Sequence, residues 1–165
     1  MKFLNLIRHG EAEVNSNKND FDRELNVNGN SDLEYLDKFL YRYSFKKHKI
    51  LCSGSLRTIQ TFESLKFSLN EDSRLEVIKS LYLANMRIIS DLIHMNKKSF
   101  MISIIGHNPG ISDIVSFFTG NFDIPDLQTS SIAQICFDNV NLIEEGSGKL
   151  KFIIQSRKNE IIPLY

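Results

Sequence analysis

Two arginines and two histidines stand in this chain where phosphoryl chemistry could use them. Arg8 and His9 close the run Leu6-Ile7-Arg8-His9-Gly10. Arg57 follows in Ser53-Gly54-Ser55-Leu56-Arg57, and His107 in Gly106-His107-Asn108-Pro109-Gly110. A guanidinium is a planar fork that matches phosphoryl oxygens. A neutral imidazole can attack phosphorus and become phosphohistidine. It must be the right tautomer, with its other ring nitrogen donating to an acceptor. A nearby backbone carbonyl suits that purpose, and the adjacent Gly10 lets the chain approach closely. The arginines would hold phosphoryl oxygens and offset charge during transfer. They would also keep the nucleophile neutral, because a cation disfavours a second cation beside it. The second histidine is then a proton-bearing or hydrogen-bonding partner of the phosphoryl group.

The elements that must position these residues alternate. Residues 2–8 read as a buried strand. A helix over 31–43 carries Leu33, Leu36, Phe39, Leu40 and Tyr43 on one face, and Ser31-Asp32-Leu33-Glu34 fits a capping box at its start. Residues 49–53 read as a short strand and 55–69 as a helix with Leu56, Ile59, Phe62 and Leu65 as its stripe. Leu75 to Ile78 is a short extended segment, and Met86, Ile89, Leu92 and Ile93 mark a further helix. Phe100 to Ile105 is a strong buried strand. Pro109 to Phe118 is a helix with proline near its first turn. Two late strands cover 131–138 and 150–156. Such alternation predicts a three-layer α/β/α sandwich with a mostly parallel sheet. Ligands in these folds bind outside the carboxyl ends of the strands. Arg8-His9, Ser53 to Arg57 and Gly106 to Gly110 all follow strands. The last two also open helices, whose free N–H groups favour an anion.

The bulk numbers set limits. A chain of 165 residues suits a single domain over 1–165, with 42% hydrophobic and 24% charged residues. Lysine plus arginine equals aspartate plus glutamate at 20 each, which argues against nucleic-acid binding by broad phosphate neutralisation. It leaves room for a small local anion site. No run approaches transmembrane length, and Arg8, His9 and Glu11 interrupt any signal-peptide core. The expectation is a cytoplasmic protein with no membrane partner. Cys52 and Cys136 lie in apolar runs and read as two buried thiols rather than a disulfide.

Leu6-Ile7-Arg8-His9-Gly10-Glu11-Ala12-Glu13 resembles the N-terminal signature of the histidine phosphatase superfamily, which includes the phosphoglycerate mutases. Asp20-Phe21-Asp22-Arg23-Glu24-Leu25-Asn26 with Gly29, and Cys52 to Thr61, are similar to two elements of its small SixA-type phosphohistidine phosphatases. Leu81-Tyr82-Leu83-Ala84 and Gly106-His107-Asn108-Pro109-Gly110 resemble two more, in the same order. The resemblance runs from residue 3 to about 120. It implies a histidine phosphatase fold, His9 as the phosphorylated nucleophile, and Arg8, Arg57 and His107 as the phosphate pocket around it. Asn15 falls where the mutase branch places a phosphate-contacting asparagine. No metal or organic cofactor is implied.

Departures from the pattern are Gly54 for the usual proline, Asn26 for threonine and Glu24 for proline. None supplies chemistry, though glycine at 54 loosens the backbone before Arg57. The mutase branch carries a glutamate proton donor shortly after an Arg-Leu pair. Here Glu76 follows Arg74-Leu75 one place too early and reads as an exposed strand residue. An alkoxide leaves badly without a proton, whereas the imidazole of phosphohistidine is a far better leaving group. The missing acid leans toward a phosphoramidate carried by a partner protein, such as a histidine phosphotransfer-type domain. Connections too short to build a lid agree with an open pocket. Two alternatives stand beside this reading: a small-molecule phosphomonoesterase, and a non-catalytic module that binds phosphorylated proteins. His48, His94, Glu11, Glu13 and the pairs Lys46-Lys47 and Lys97-Lys98 read as loop or solvated residues without a role.

Overall fold

The computed structural model describes residues 1–14, 17–43, 45–70, 72–139 and 142–165. In chain order the elements are β1 (Phe3–Arg8), α1 (Val27–Leu40), β2 (Lys49–Ser53), α2 (Leu56–Leu65), β3 (Arg74–Ile78), α3 (Met86–Met95), β4 (Met101–Gly106), α4 (Gly110–Thr119), β5 (Ser131–Phe137), β6 (Gly148–Arg157) and β7 (Glu160–Pro163). They form one sheet in the order β3-β2-β4-β1-β5-β6-β7. β3, β2, β4 and β1 pair in parallel, whereas β5, β6 and β7 add antiparallel ladders. The sheet is therefore mixed, and parallel in the half that carries the strand ends singled out above. β7 and the short 3-10 turn over Asp20–Asp22 escape the sequence pattern.

Alternation along the strands supplies both faces. Leu4, Leu6, Leu51, Ile102 and Ile104 pack with Ile89, Ile93, Ile111, Ile114 and Phe118 of α3 and α4. Ile7, Ile50, Cys52 and Ile105 pack with Leu33, Leu36, Leu40 and Leu65 of α1 and α2. β4 is buried along its whole length between β2 and β1, apolar but for Ser103, whose hydroxyl is hydrogen-bonded. Cys52 and Cys136 are free and buried. Among the described residues no helix is long and apolar enough to cross a membrane.

Two expectations are corrected. α1 begins at Val27 rather than at residue 31, because the Asn26 side chain caps it by accepting from Gly29 N at 2.8 Å. Ser31 is inside the helix, and its hydroxyl donates to Asn159 instead (2.8 Å). Of the apolar stripe on α2, Leu65 is buried and Ile59 and Phe62 pack partly buried against the core, but the fully buried face also takes in Arg57, Thr58 and Thr61. Thr58 Oγ1 donates to Ser53 O at 2.7 Å, and Thr61 Oγ1 accepts from Gly10 N at 3.0 Å. Polar contacts to the ends of β1 and β2 thus set the rotation of this helix.

Gly110 joins two of the sequence elements. A Cβ there would stand 2.0 Å from Ala84 O, so only glycine lets α4 meet the segment after Tyr82. Gly110→Ala is expected to cost about 1–3 kcal/mol or more. Thermal unfolding should show a Tm lower by several degrees (~2–4 °C per kcal/mol). An unchanged Tm would mean that this backbone approach is not tight.

Candidate active site

The strand order decides what meets. β2, β4 and β1 are neighbours and parallel, so the residues after Ser53, Gly106 and Arg8 emerge side by side at one sheet edge. His9 N continues the ladder by donating to Gly106 O (3.3 Å). Arg57 is the second residue of α2 and is 3% exposed, as is His107 before α4. His9 is half-buried and reachable from outside.

The hydrogen bonds fix the state of His9. Its Nδ1 lies 2.7 Å from Gly10 O, which can only accept, so Nδ1 carries the proton and Nε2 keeps its lone pair. Arg57 Nε points at that lone pair (3.3 Å). The rings of His9 and His107 lie 5.0 Å apart. His107 Nε2 meets Ser53 Oγ at 2.9 Å and Ser55 Oγ at 3.4 Å, and its Nδ1 is 3.5 Å from Arg57 Nη2. Arg8 Nη1 donates to Leu127 O (2.6 Å), which also accepts from Asn108 Nδ2 (3.0 Å). Ser112 ties both partners down, donating to Asn108 and accepting from Leu127 N. Among the described residues Arg8 Nε is buried without a hydrogen-bond partner.

The charges act together. Burial, then Arg57, Arg8 and Arg23, push His9 down to about 4, against the Gly10 hydrogen bond that favours its proton. Burial, His9 and Arg57 push His107 down to about 3. Both rings are therefore neutral near pH 7, and His9 presents a bare nitrogen. Folded-state values below the ordinary 6.5 have no effect on stability above about pH 6.5. As pH falls toward 4 the unfolded chain takes protons the folded chain refuses. Stability should drop by up to about 1.4 kcal/mol per pH unit for each ring. Histidine NMR should show both rings neutral at pH 5, while urea unfolding shows the loss. Titration of both near 6.5 would contradict the burial and charge argument.

Sequence reasoning missed the residues that surround Arg57. Asp20 accepts from Arg57 Nη2 at 3.0 Å, from Arg23 Nη1 at 2.8 Å and from Tyr82 Oη at 2.5 Å. Its backbone oxygen takes Arg57 Nη1 (2.5 Å). The Tyr82 hydrogen bond, then Arg23 and Arg57, outweigh burial and hold the Asp20 carboxyl well below the usual carboxylate range. The short turn over Asp20–Asp22 before α1 lays Asp20 and Phe21 against one wall of the pocket. Phe21 packs on Tyr82 (centroids 5.0 Å apart), and the ring of Tyr82 stands 5.5 Å from that of His107.

The geometry finds its counterpart in known proteins. Residues 4–87, just over half the chain, match the model of the histidine phosphatase superfamily, branch 1. The chain belongs to the histidine phosphatase superfamily. Within it, the chain is 26% identical over 146 residues to the phosphohistidine phosphatase SixA of Escherichia coli K12, covering 87% of each protein. A SixA structure from Agrobacterium tumefaciens shares its fold, with a TM-score of 0.80 at 20% identity, covering 92% of this chain and 96% of that one. The protein histidine phosphatase SixA solved with tungstate superposes with a TM-score of 0.79 at 24% identity, covering 93% and 96%.

Against the superfamily pattern, the structure brings Arg8, His9, Arg57 and His107 together at one strand edge. Asn15 lies outside the described residues. Glu76 is on β3 and paired with Lys49 at 2.7 Å, a partner at the opposite end of β2 from Ser53; that hydrogen bond lowers its pKa. Glu11 accepts from Asn26 (2.6 Å) at the start of α1. His48, read as a loop residue, is buried between Lys46 O and Ser103 Oγ, both at 2.7 Å. His94 staples Ser90 O to Ile143 O (2.8 and 2.9 Å). Among the described residues no group of three His, Cys, Asp or Glu side chains is placed to hold a metal ion.

Proposed function

We propose that this member of the superfamily is a phosphatase that works through a phosphohistidine on His9 and removes phosphate from phosphohistidine on a partner protein. The observation that carries the mechanism is the His9 ring. Nδ1 is locked on Gly10 O, and Nε2 is bare and faces a guanidinium. In the first step Nε2 attacks phosphorus, the substrate P–N bond breaks, and its electron pair leaves with the substrate imidazole. Arg8, Arg57 and His107 hold the phosphoryl oxygens. In the second step water attacks phosphorus, the bond to Nε2 breaks, and inorganic phosphate departs with neutral His9 restored.

The substrate class rests on the leaving group. A phosphohistidine whose second ring nitrogen carries a proton releases a neutral imidazole with no proton from the enzyme. An alkoxide has no such route and requires an acid. Glu76 is tied to Lys49, and Asp20 beside Arg57 is held ionised, so neither is a ready donor. The rim supports a protein substrate. Phe21 and Val77 are 37% and 50% exposed and flank Gly54, three residues before Arg57. Its relatives point the same way: SixA of Escherichia coli is a phosphohistidine phosphatase, and a SixA was solved with tungstate, a tetrahedral oxyanion.

The test is turnover of a phosphohistidine-bearing phosphotransfer domain against a panel of phosphate esters, wild type beside His9→Ala. Release of phosphate from the protein substrate is expected to dominate by orders of magnitude. Rapid turnover of esters with an inert phosphohistidine protein would overturn the substrate class. Binding of the phosphorylated domain without turnover would leave only a binding module. The acid limb of kcat/KM is expected near 4, where His9 protonates, rather than near 6.5.

A further inference from the structure

We propose that Asp20 is the positioning residue that aims Arg57 at the reacting phosphoryl group, with Tyr82 and Arg23 as its struts; the inference rests on the phosphoryl pocket proposed above. A guanidinium has two edges that can each grip two acceptors. In Arg57 the Nη1/Nη2 edge is gripped at both ends by Asp20, its backbone oxygen on Nη1 at 2.5 Å and its carboxylate on Nη2 at 3.0 Å. The Nε/Nη2 edge is thereby turned to the two histidines, with Nε 3.3 Å from His9 Nε2 and Nη2 3.5 Å from His107 Nδ1. A phosphoryl group bonded to His9 Nε2 has its oxygens beside that second edge.

Asp20 can serve this purpose because three chain segments fix it. Tyr82, from the segment after β3, donates to Oδ2 at 2.5 Å, and Arg23 donates to Oδ1 at 2.8 Å. Arg23 is anchored in turn, its Nε on Glu13 O at 2.6 Å. Asn19 caps the 3-10 turn that presents Asp20, its side chain accepting from Asp22 N. The Tyr82 ring closes the box, with Arg57 Cζ 5.9 Å from its centroid and the His107 ring edge-on to it. Arg57 is almost wholly buried and cannot be aimed by solvent. A group aimed at charge that develops in transfer is worth most when it need not reorganise.

The separating experiment compares Asp20→Ala, Asp20→Asn and Tyr82→Phe with wild type and His9→Ala. The readouts are kcat, KM and inhibition by orthovanadate. In Asp20→Ala, kcat and kcat/KM should fall together by about 10–100-fold with little change in KM, the mark of a contact made in the transition state. Orthovanadate should bind more weakly by a similar factor. Asp20→Asn keeps an acceptor for Arg57 and should recover most of the loss. Tyr82→Phe should fall between the two. An unchanged kcat in Asp20→Ala would overturn the inference, and so would tighter orthovanadate, which marks an internal blocker. Should Asp20→Ala fail to fold, Tyr82→Phe decides: a loss in Tm without a loss in kcat there would also overturn it. Wild-type turnover in His9→Ala would sink the pocket itself, a separate failure.

Discussion

His9→Ala is expected to abolish turnover, by about 10⁴-fold or more, while the protein still folds. Nucleophiles that act as one unit with their partners give losses of this order when removed alone. The ring is half-buried, and the contacts it loses are one hydrogen bond to Gly10 O and one from Arg57. Neither holds an element in place: β1 is set by its ladders to β4 and β5, and Gly10 is held by Thr61. A normal Tm with absent activity separates chemistry from folding. His9→Asn is expected to be equally inactive, because an amide cannot carry the phosphoryl group.

Arg57→Ala carries the second largest effect, a loss of about 10³–10⁵ in kcat, the range seen for guanidinium groups on transferring phosphoryls. Two consequences follow from one deletion. The phosphoryl oxygens lose their bidentate partner, and His9 loses the nearest of the cations that disfavour its proton. The acid limb of kcat/KM should therefore shift upward in the residual activity. Arg57→Lys should rescue little. A single ammonium cannot hold Asp20 on one side and face His9 and His107 on the other. A lysine variant within tenfold of wild type would mean that charge alone matters at 57, and that the two-edge geometry does not.

Much of the fold and the site was legible because strong signals coincide. Buried strands such as Met101 to Gly106 announce themselves by largely apolar runs, and the residues just after them fall at the edge where ligands bind in parallel sheets. Arg8, His9, Arg57 and His107 were picked out that way, and the structure places them at the ends of neighbouring strands and the helix start beside them. Asp20, Arg23 and Tyr82 were not, although all three lie in segments quoted for their resemblance. Nothing in local pattern says that an exposed loop aspartate will seat on an arginine 37 positions away. The helix α1 start failed for a related reason. Ser31 offers a plausible cap, but Gly29 must lie against Glu11, where a Cβ would sit 2.1 Å from its oxygen. That contact between distant segments, together with the Asn26 cap, places the first turn. The buried face of α2 is polar near its start, so apolar periodicity found Ile59, Phe62 and Leu65 but not Arg57, Thr58 and Thr61 beside them.

The central claim is covalent transfer to His9, and it can be tested on the enzyme itself. Wild-type protein is mixed with a ³²P-phosphohistidine-bearing domain, quenched in alkaline denaturant within the first turnover, and digested. Label on the peptide containing His9, stable to base and lost in acid, is the expected result. Turnover with no label on the enzyme, or label on another residue, would contradict the account.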